Sequence, residues 1–437
     1  MKKLSILGWV TISIGIFLGG CNQKKSNKIL VGAALQHYCV QKLTDVIVYD
    51  IFTPPVASRI YVYANLAYYE ALKPMNSKAS PIIPLLKGFE SLPQTEADKR
   101  YDYRLSAATA FMKVAKALVF SKDSIGNAEK EIQLQFNELD KDVYDRSIAW
   151  GESIASTILK RAGNDNYKVT RGMPRYSVFK ETGKWLQTPP DYSDAIEPYW
   201  KLIKPLKMDS AAQFRPAAPP AYNLDKTSQY YTELMEVYTV SKQLTKLQDT
   251  IAHYWDDNPF VSEHTGHLTY ANKKTTPVGH WMGIIAILCG DSKLDDLATA
   301  KTYALSSCAI FDAFISCWEE KFRSKTVRPI SVIRENIESE WNALLQTPPF
   351  PEYTSGHSVV SAAASTVLTH LFGNNKAFHD TTELQYLGMQ RSFTSIEQAS
   401  DEAGISRLYG GIHFRAAIVN GKSQGNQVGN LFTQLIQ

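Results

Sequence analysis

Apolar residues recur at helical spacing along nearly the whole of this 437-residue chain, and no sustained two-residue alternation interrupts them. That period decides the fold class. A helix buries one face when its apolar residues stand three and four apart, whereas a half-buried strand needs them at every second position. Val56–Leu72 (VASRIYVYANLAYYEAL) and Arg104–Phe120 (RLSAATAFMKVAKALVF) follow the helical pattern, and Glu129–Lys160, Thr227–Ala252 and Ala298–Phe322 continue it. The expectation is an all-α helical bundle whose many aromatic residues are core. A chain of this length supports a large core, read here as two packed helical lobes. The best interior boundary is Gln213–Asn223 (QFRPAAPPAYN), which divides an N-terminal helical lobe, 31–215, from a C-terminal lobe, 216–437, with allowance for one shared core. Gly163–Pro205 is rich in Gly, Pro, Tyr and Trp, and long irregular segments of compact proteins usually cover something.

The stretch with the most chemistry is Pro348–Val359, PPFPEYTSGHSV. Its prolines stiffen the approach to an apolar helical run that begins near Val359. A polar triplet opening a helix gathers free backbone N–H groups and the positive end of the helix dipole, a natural seat for an oxyanion. Ser355 adds a hydroxyl donor, Gly356 permits close backbone approach, and His357 can exchange a proton near neutral pH. Two other blocks carry matching charge. Lys321 and Arg328-Pro329 lie upstream, separated by six residues; Ser406-Arg407 lies downstream, with His413 six positions after Arg407. Phe314, Trp318 and Lys321 share a helical face, so Lys321 is expected to end an apolar face and reach into the site. A tetrahedral trianion needs many donors and compensating charge. Lys321, Arg328 and Arg407 supply three cations. Each contributes about 4 kcal/mol at ~4 Å for an effective dielectric near 20, before desolvation is set against it.

The three blocks, in this order, resemble the signature shared by vanadium-dependent haloperoxidases and type 2 phosphatidic acid phosphatases (PAP2). Lys321, Arg328, Pro329, Ser355, Gly356, His357, Ser406, Arg407 and His413 fall in register. Trp318, Phe350-Pro351 and Phe414-Arg415 resemble the haloperoxidase side more closely, as do Tyr254–Pro259 and Pro277–Trp281. The resemblance implies a helical bundle with the catalytic residues in the C-terminal lobe. It further implies vanadate as cofactor, held by Lys321, Arg328, Ser355, Gly356 and Arg407, with His413 bonding vanadium and His357 as acid–base. Phosphate would compete for the same cage. The leading expectation is therefore oxidation of halide by hydrogen peroxide, with a small organic acceptor. The alternatives are a soluble PAP2-type phosphatase cleaving a phosphomonoester through a phosphohistidine at His413, and a non-catalytic oxyanion-binding lipoprotein.

Two positions depart from the family pattern. The usual Asp one helical turn after the ligating His is Ala417 here, so a backbone carbonyl or a carboxylate from elsewhere must orient the His413 ring. Thr354 stands where many members carry proline, which should soften the loop slightly. Glu402, five residues before Arg407, is a candidate brace for that arginine, its plainer reading being a surface carboxylate.

At the start of the chain, Lys2 and Lys3 precede a short apolar run in Met1–Gly20, the pattern of an export signal and not of a spanning helix. Leu18-Gly19-Gly20-Cys21 resembles a bacterial lipoprotein cleavage box. This implies a lipid on Cys21, a tether over 21–30, and a membrane-anchored periplasmic or cell-surface protein. No later stretch has the ~18 uninterrupted apolar residues of a membrane span, which argues against the multi-span lipid phosphatases. A formal net charge of +4 gives no case for nucleic acid or an anionic membrane surface as partner. Cys39, Cys289, Cys308 and Cys317 read as buried thiols. His264 and His267 are spaced like a metal pair without a completing ligand set, and His280 reads as a packed or cleft-wall histidine. Trp318, Phe350 and His280 are candidates for the mouth that sets halide preference.

Overall fold

The computed structural model describes residues 30–436 apart from 260, 266, 272 and 273, and the side chains of 262–265 and 268–271 fall outside the description too. The signal segment, Cys21, the tether up to 29 and the side chain of His264 thus lie outside the described residues.

The described residues form fifteen α-helices and two short hairpins. The first half holds α1 (Ala33–Tyr49), α2 (Pro54–Leu72), α3 (Tyr103–Leu118), α4 (Lys122–Gln133), α5 (Lys141–Gly163) and α6 (Tyr167–Arg171). Then follow α7 (Gln229–Lys242), α8 (Lys246–Tyr254), the antiparallel pair β1 (Ser262–Thr265) and β2 (Leu268–Ala271), α9 (Pro277–Asp291) and α10 (Asp296–Ser324). The last part holds α11 (Pro329–Asn336), α12 (Gly356–Phe372), β3 (Phe378–Asp380), α13 (Leu384–Leu387), β4 (Arg391–Phe393), α14 (Ile396–Tyr409) and α15 (Arg415–Thr433). The all-α expectation holds.

Helix starts follow local chemistry. Thr53 caps α2 by accepting from Val56 N, and Pro54 and Pro55 occupy the first turn, where no N–H is missed. Thr276 and Pro277 start α9 in the same way. Asp295 caps α10, whose 29 residues end at Ser324, followed by Lys325 in the left-handed region.

The main core draws on both sides of residue 215, from Leu35 and Ile60 to Val360 and Phe432. Helix α10 packs against α2 from the first half and against α12 and α15 from the second. Gly421, Gly425 and Gly429 line the face of α15 that meets α12. A Cβ on Gly425 would lie 2.1 Å from the Val359 carbonyl oxygen, so the two helices approach as only glycine allows. This close crossing fixes where the N-terminus of α12 emerges.

The irregular 163–205 segment behaves as its composition suggests. Ile196 N donates to Pro349 O at 3.1 Å, and Trp318 Nε1 donates to Ile196 O at 3.2 Å, so this segment covers the loop ahead of α12. Cys39, Cys289, Cys308 and Cys317 are buried free thiols. Among the described residues no helix is long and apolar enough to cross a membrane.

Candidate active site

Helix α12 opens where the sequence places it. Ser355 is the N-cap, its hydroxyl accepting from Ser358 N at 3.4 Å while its own N–H donates to Ala417 O at 3.0 Å. The first intrahelical bond is Val359 N to Ser355 O, so the N–H groups of Gly356 and His357 are left to the space in front of the helix. That space is a tight cavity of about 40 Å³, with Gly356, His357, Arg407, His413 and the ion-paired Asp256 and Asp257 on its polar side and Phe314, Trp318 and Phe350 among its apolar walls. It suits a guest of a few heavy atoms, since one water needs roughly 10–15 Å³ by the same measure. A Cβ at Gly356 would touch nothing closer than Trp318 Cζ3 at 3.8 Å, so a side chain there would take up the cavity itself.

Lys321, Arg328 and Ser355 stand directly behind this surface. Lys321 is fully buried; its Nζ donates to the Pro351 and Glu352 carbonyls at 3.0 Å each, leaving the third ammonium hydrogen uncommitted. These two bonds brace the loop, and the remaining hydrogen is free for an anion seated beyond the Phe350 ring, whose centre lies 5.0 Å from Nζ. Arg328 Nε donates to Phe350 O at 2.9 Å and its Nη1 to Ile412 O at 2.8 Å. The Phe350 ring lies 5.0 Å from Lys321 Nζ and 5.1 Å from Arg328 Cζ, packing an aromatic face against both cations.

The two imidazoles have assigned tautomers. Arg328 Nη1 is 3.2 Å from His413 Nε2, and a guanidinium only donates, so Nε2 carries a lone pair. The proton then sits on Nδ1, 2.8 Å from Glu352 Oε1. Glu352 also accepts from Phe414 N at 3.0 Å. This buried carboxylate does the work expected of an Asp at 417. It arrives from the loop that leads into α12. His357 follows the same rule: Arg407 Nη1 is 3.3 Å from its Nε2, which is therefore an acceptor. Burial and the surrounding cations hold both imidazoles well below their ordinary value, so both are neutral in the anion-free protein.

Arg407 is braced by the Trp255 and Asp256 carbonyls, with Asp256 Oδ1 3.7 Å from its Nη2. Glu402 is not its partner. Five residues along a helix is about 140° around the axis. Glu402 accordingly turns away, to Arg391 Nη2 at 2.6 Å and Trp255 Nε1 at 3.1 Å. The Thr354 hydroxyl donates to Gln424 Oε1 at 2.7 Å, a tie to α15 that a proline there would lack. His280 is fully buried behind Trp255 and takes no part in the cavity wall, whereas Trp318 and Phe350 do.

An oxyanion fits this arrangement. Arg407 Nε is buried without a hydrogen-bond partner. Burial pushes the Lys321 ammonium down to about 7, and burial likewise lowers Arg328 and Arg407. Cations so disfavoured, beside an orphaned N–H and two free helix N–H groups, are what a bound anion would relieve.

Comparison with known proteins agrees with this reading. A family model described as the VCPO second helical-bundle domain matches residues 301–437. A bacterial vanadium-dependent iodoperoxidase of known structure is 42% identical, with a TM-score of 0.88, covering 92% of this chain and 96% of that one. The chain belongs to the vanadium-dependent haloperoxidases. The holo form of a bacterial vanadium-dependent chloroperoxidase is 18% identical over 89% of this chain and 93% of that one, with a TM-score of 0.68, and the apo form is 17% identical with a TM-score of 0.70, so these share the fold. No curated protein matches.

Sequence reasoning missed Glu352, Asp256 and Asp257. Glu352 could have been found as the one carboxylate in an otherwise apolar, proline-rich loop. The two aspartates were visible only as turn residues.

Proposed function

We propose that this haloperoxidase oxidises halide with hydrogen peroxide at a vanadate held in the cavity before α12, with iodide the preferred halide. One feature carries the proposal: His413 is locked between Glu352 and Arg328 in the tautomer that leaves Nε2 unprotonated, beside the unpartnered Nε of Arg407. His413 is the metal-bonding residue. Lys321, Arg328, Arg407, the Ser355 hydroxyl and the Gly356 N–H hold the oxyanion and spread its charge. Bound vanadate supplies a Lewis acid that activates peroxide without changing oxidation state. His357 Nε2 takes up and returns the proton moved as peroxide binds and product leaves, which its neutral form in this cavity permits. Phe314, Trp318 and Phe350 keep bulk water from the reacting atoms. Iodide is supported by the 42% identity to an iodoperoxidase. The decayed-site alternative rested on Ala417, and Glu352 removes that ground.

The test is reconstitution of the full chain with orthovanadate, followed by peroxide-dependent oxidation of iodide, bromide and chloride. Iodide turnover that is lost in His413→Ala and inhibited by phosphate supports the proposal; phosphomonoester cleavage by vanadate-free protein, with no halide turnover, overturns it. The organic acceptor and the lipid on Cys21 belong to the same proposal. Recovery of the wild type in the membrane fraction and release of Cys21→Ala would support the anchor.

A further inference from the structure

We propose that Asp257, His280 and Glu383 form a second metal site, taking one divalent first-row cation such as Zn²⁺ or Mn²⁺. The three ligands come from separate parts of the fold. Asp257 follows α8, His280 lies in the first turn of α9, and Glu383 immediately precedes α13. All three are buried, and their donor atoms lie within 4.8 Å of one another.

The hydrogen bonds around His280 leave one buried carboxylate oxygen, on Glu383, without a partner. Nδ1 lies 3.0 Å from Asp257 Oδ1 and 3.6 Å from Glu383 Oε1, so two carboxylates converge on a nitrogen that carries at most one proton. Glu383 Oε1 is buried with no hydrogen-bond partner. The other ring nitrogen, Nε2, lies 3.0 Å from Asp380 Oδ2, and the second oxygen of Asp380 accepts from Thr382 N at 2.9 Å. A carboxylate fixing one ring nitrogen while the other faces further acidic ligands is the usual setting of a metal-bound histidine. Ligands about 2.0–2.2 Å from a shared tetrahedral ion stand about 3.3–3.6 Å apart; the observed 3.6 Å falls at the end of that range and the 3.0 Å just short of it.

Charge points the same way. Lys274 Nζ is committed to Asp256 at 2.6 Å. With all three carboxylates ionised, a protonated His280 leaves the buried cluster with two negative charges in excess, whereas a divalent ion beside a neutral His280 leaves one. One imidazole and two carboxylates are donors suited to zinc or manganese. Trp255 stacks on the imidazole at 4.3 Å, so the ring is held for this role. A cleft of about 520 Å³ opens beside the site, lined by Gly279, Thr382 and Leu384, the chain neighbours of His280 and Glu383.

The site is not isolated from the chemistry. Asp257 Oδ2 is 3.7 Å from His357 Nε2, so an ion at Asp257 draws off the negative charge that would otherwise favour protonated His357.

The experiment uses full-length protein prepared without vanadate, treated with chelator and titrated with Zn²⁺ and, separately, Mn²⁺. Bound metal is counted by mass spectrometry after free ion is removed, and thermal unfolding is followed in parallel. The wild type should keep one equivalent and gain in Tm. Glu383→Gln, isosteric and close to neutral for folding, should lose the stoichiometric ion while keeping its circular dichroism. Asp380→Asn should weaken binding about 10- to 100-fold. His267→Ala, which alters an exposed histidine, should bind as wild type. No ion above background in the wild type, or wild-type binding by Glu383→Gln and Asp380→Asn, overturns the proposal.

Discussion

The anion affinity of the cavity should fall steeply as pH rises above about 7. Two buried groups set this dependence. Burial lowers the Lys321 ammonium from 10.5 to about 7, which corresponds to about 5 kcal/mol disfavouring its charged form. Burial raises the Glu352 carboxyl from 4.5 to about 7. Rising pH removes a positive charge at one and adds a negative charge at the other, and both changes oppose an incoming anion. For Lys321 the unfolded chain binds more protons between about 7 and 10.5, so the anion-free fold gains stability across that window. For Glu352 the folded state holds the extra proton between 4.5 and about 7, so stability falls across that window. Sulfate is a suitable tetrahedral probe because its charge is constant over this range. Its Kd, read by calorimetry or by the fluorescence of Trp318 in the cavity wall, should rise about 16-fold from pH 7 to 8.5 through the one proton of Lys321, and further through Glu352. Lys321→Met should bind more weakly and lower the slope by about one proton. A wild-type Kd that stays flat or falls over this range, or an unchanged slope in Lys321→Met, would refute the reasoning.

Other perturbations separate positioning from packing. Glu352→Ala orphans His413 Nδ1–H and Phe414 N–H, costing about 1–3 kcal/mol for each in urea unfolding, and should weaken vanadate binding about 10- to 100-fold; Glu352→Gln should recover most of the stability. Arg407→Lys gives up the fork that bonds the Trp255 carbonyl and faces His357, so kcat/KM for iodide should drop about 10- to 100-fold in steady-state assays. Gly425→Ala drives a Cβ into the Val359 carbonyl and should cost about 1–3 kcal/mol in denaturant unfolding. Gly290→Ala, with nothing within 4 Å, should instead be neutral or slightly stabilising.

What the sequence revealed and what it hid divide along a physical line. Periodic burial and helix capping are local, so the long helix carrying Lys321 and the Ser355 cap of α12 were readable from neighbours a few positions away. The three charged blocks were readable because each keeps its own internal spacing. The partners of those residues were not. His413 is oriented by a carboxylate 61 residues earlier, and Arg407 is braced by Trp255 and Asp256, about 150 positions before it. Such pairings depend on how helices cross, which composition and period do not encode. Glu402 is near Arg407 in sequence but about 140° away around α14, so nearness alone does not pair them. His280 was assigned to packing, and its three surrounding carboxylates, from positions 257, 380 and 383, become visible only when β3 and α13 are brought against α9.

The central claim is that one tetrahedral oxyanion is seated between His413 and the start of α12. A crystal of the full-length protein soaked with orthovanadate tests it most directly, through anomalous scattering at the vanadium edge. The account predicts a single strong peak bonded to His413 Nε2 and ringed by Lys321, Arg328, Arg407 and the Gly356 N–H. A peak elsewhere, or none in a crystal that retains activity toward iodide, would contradict it.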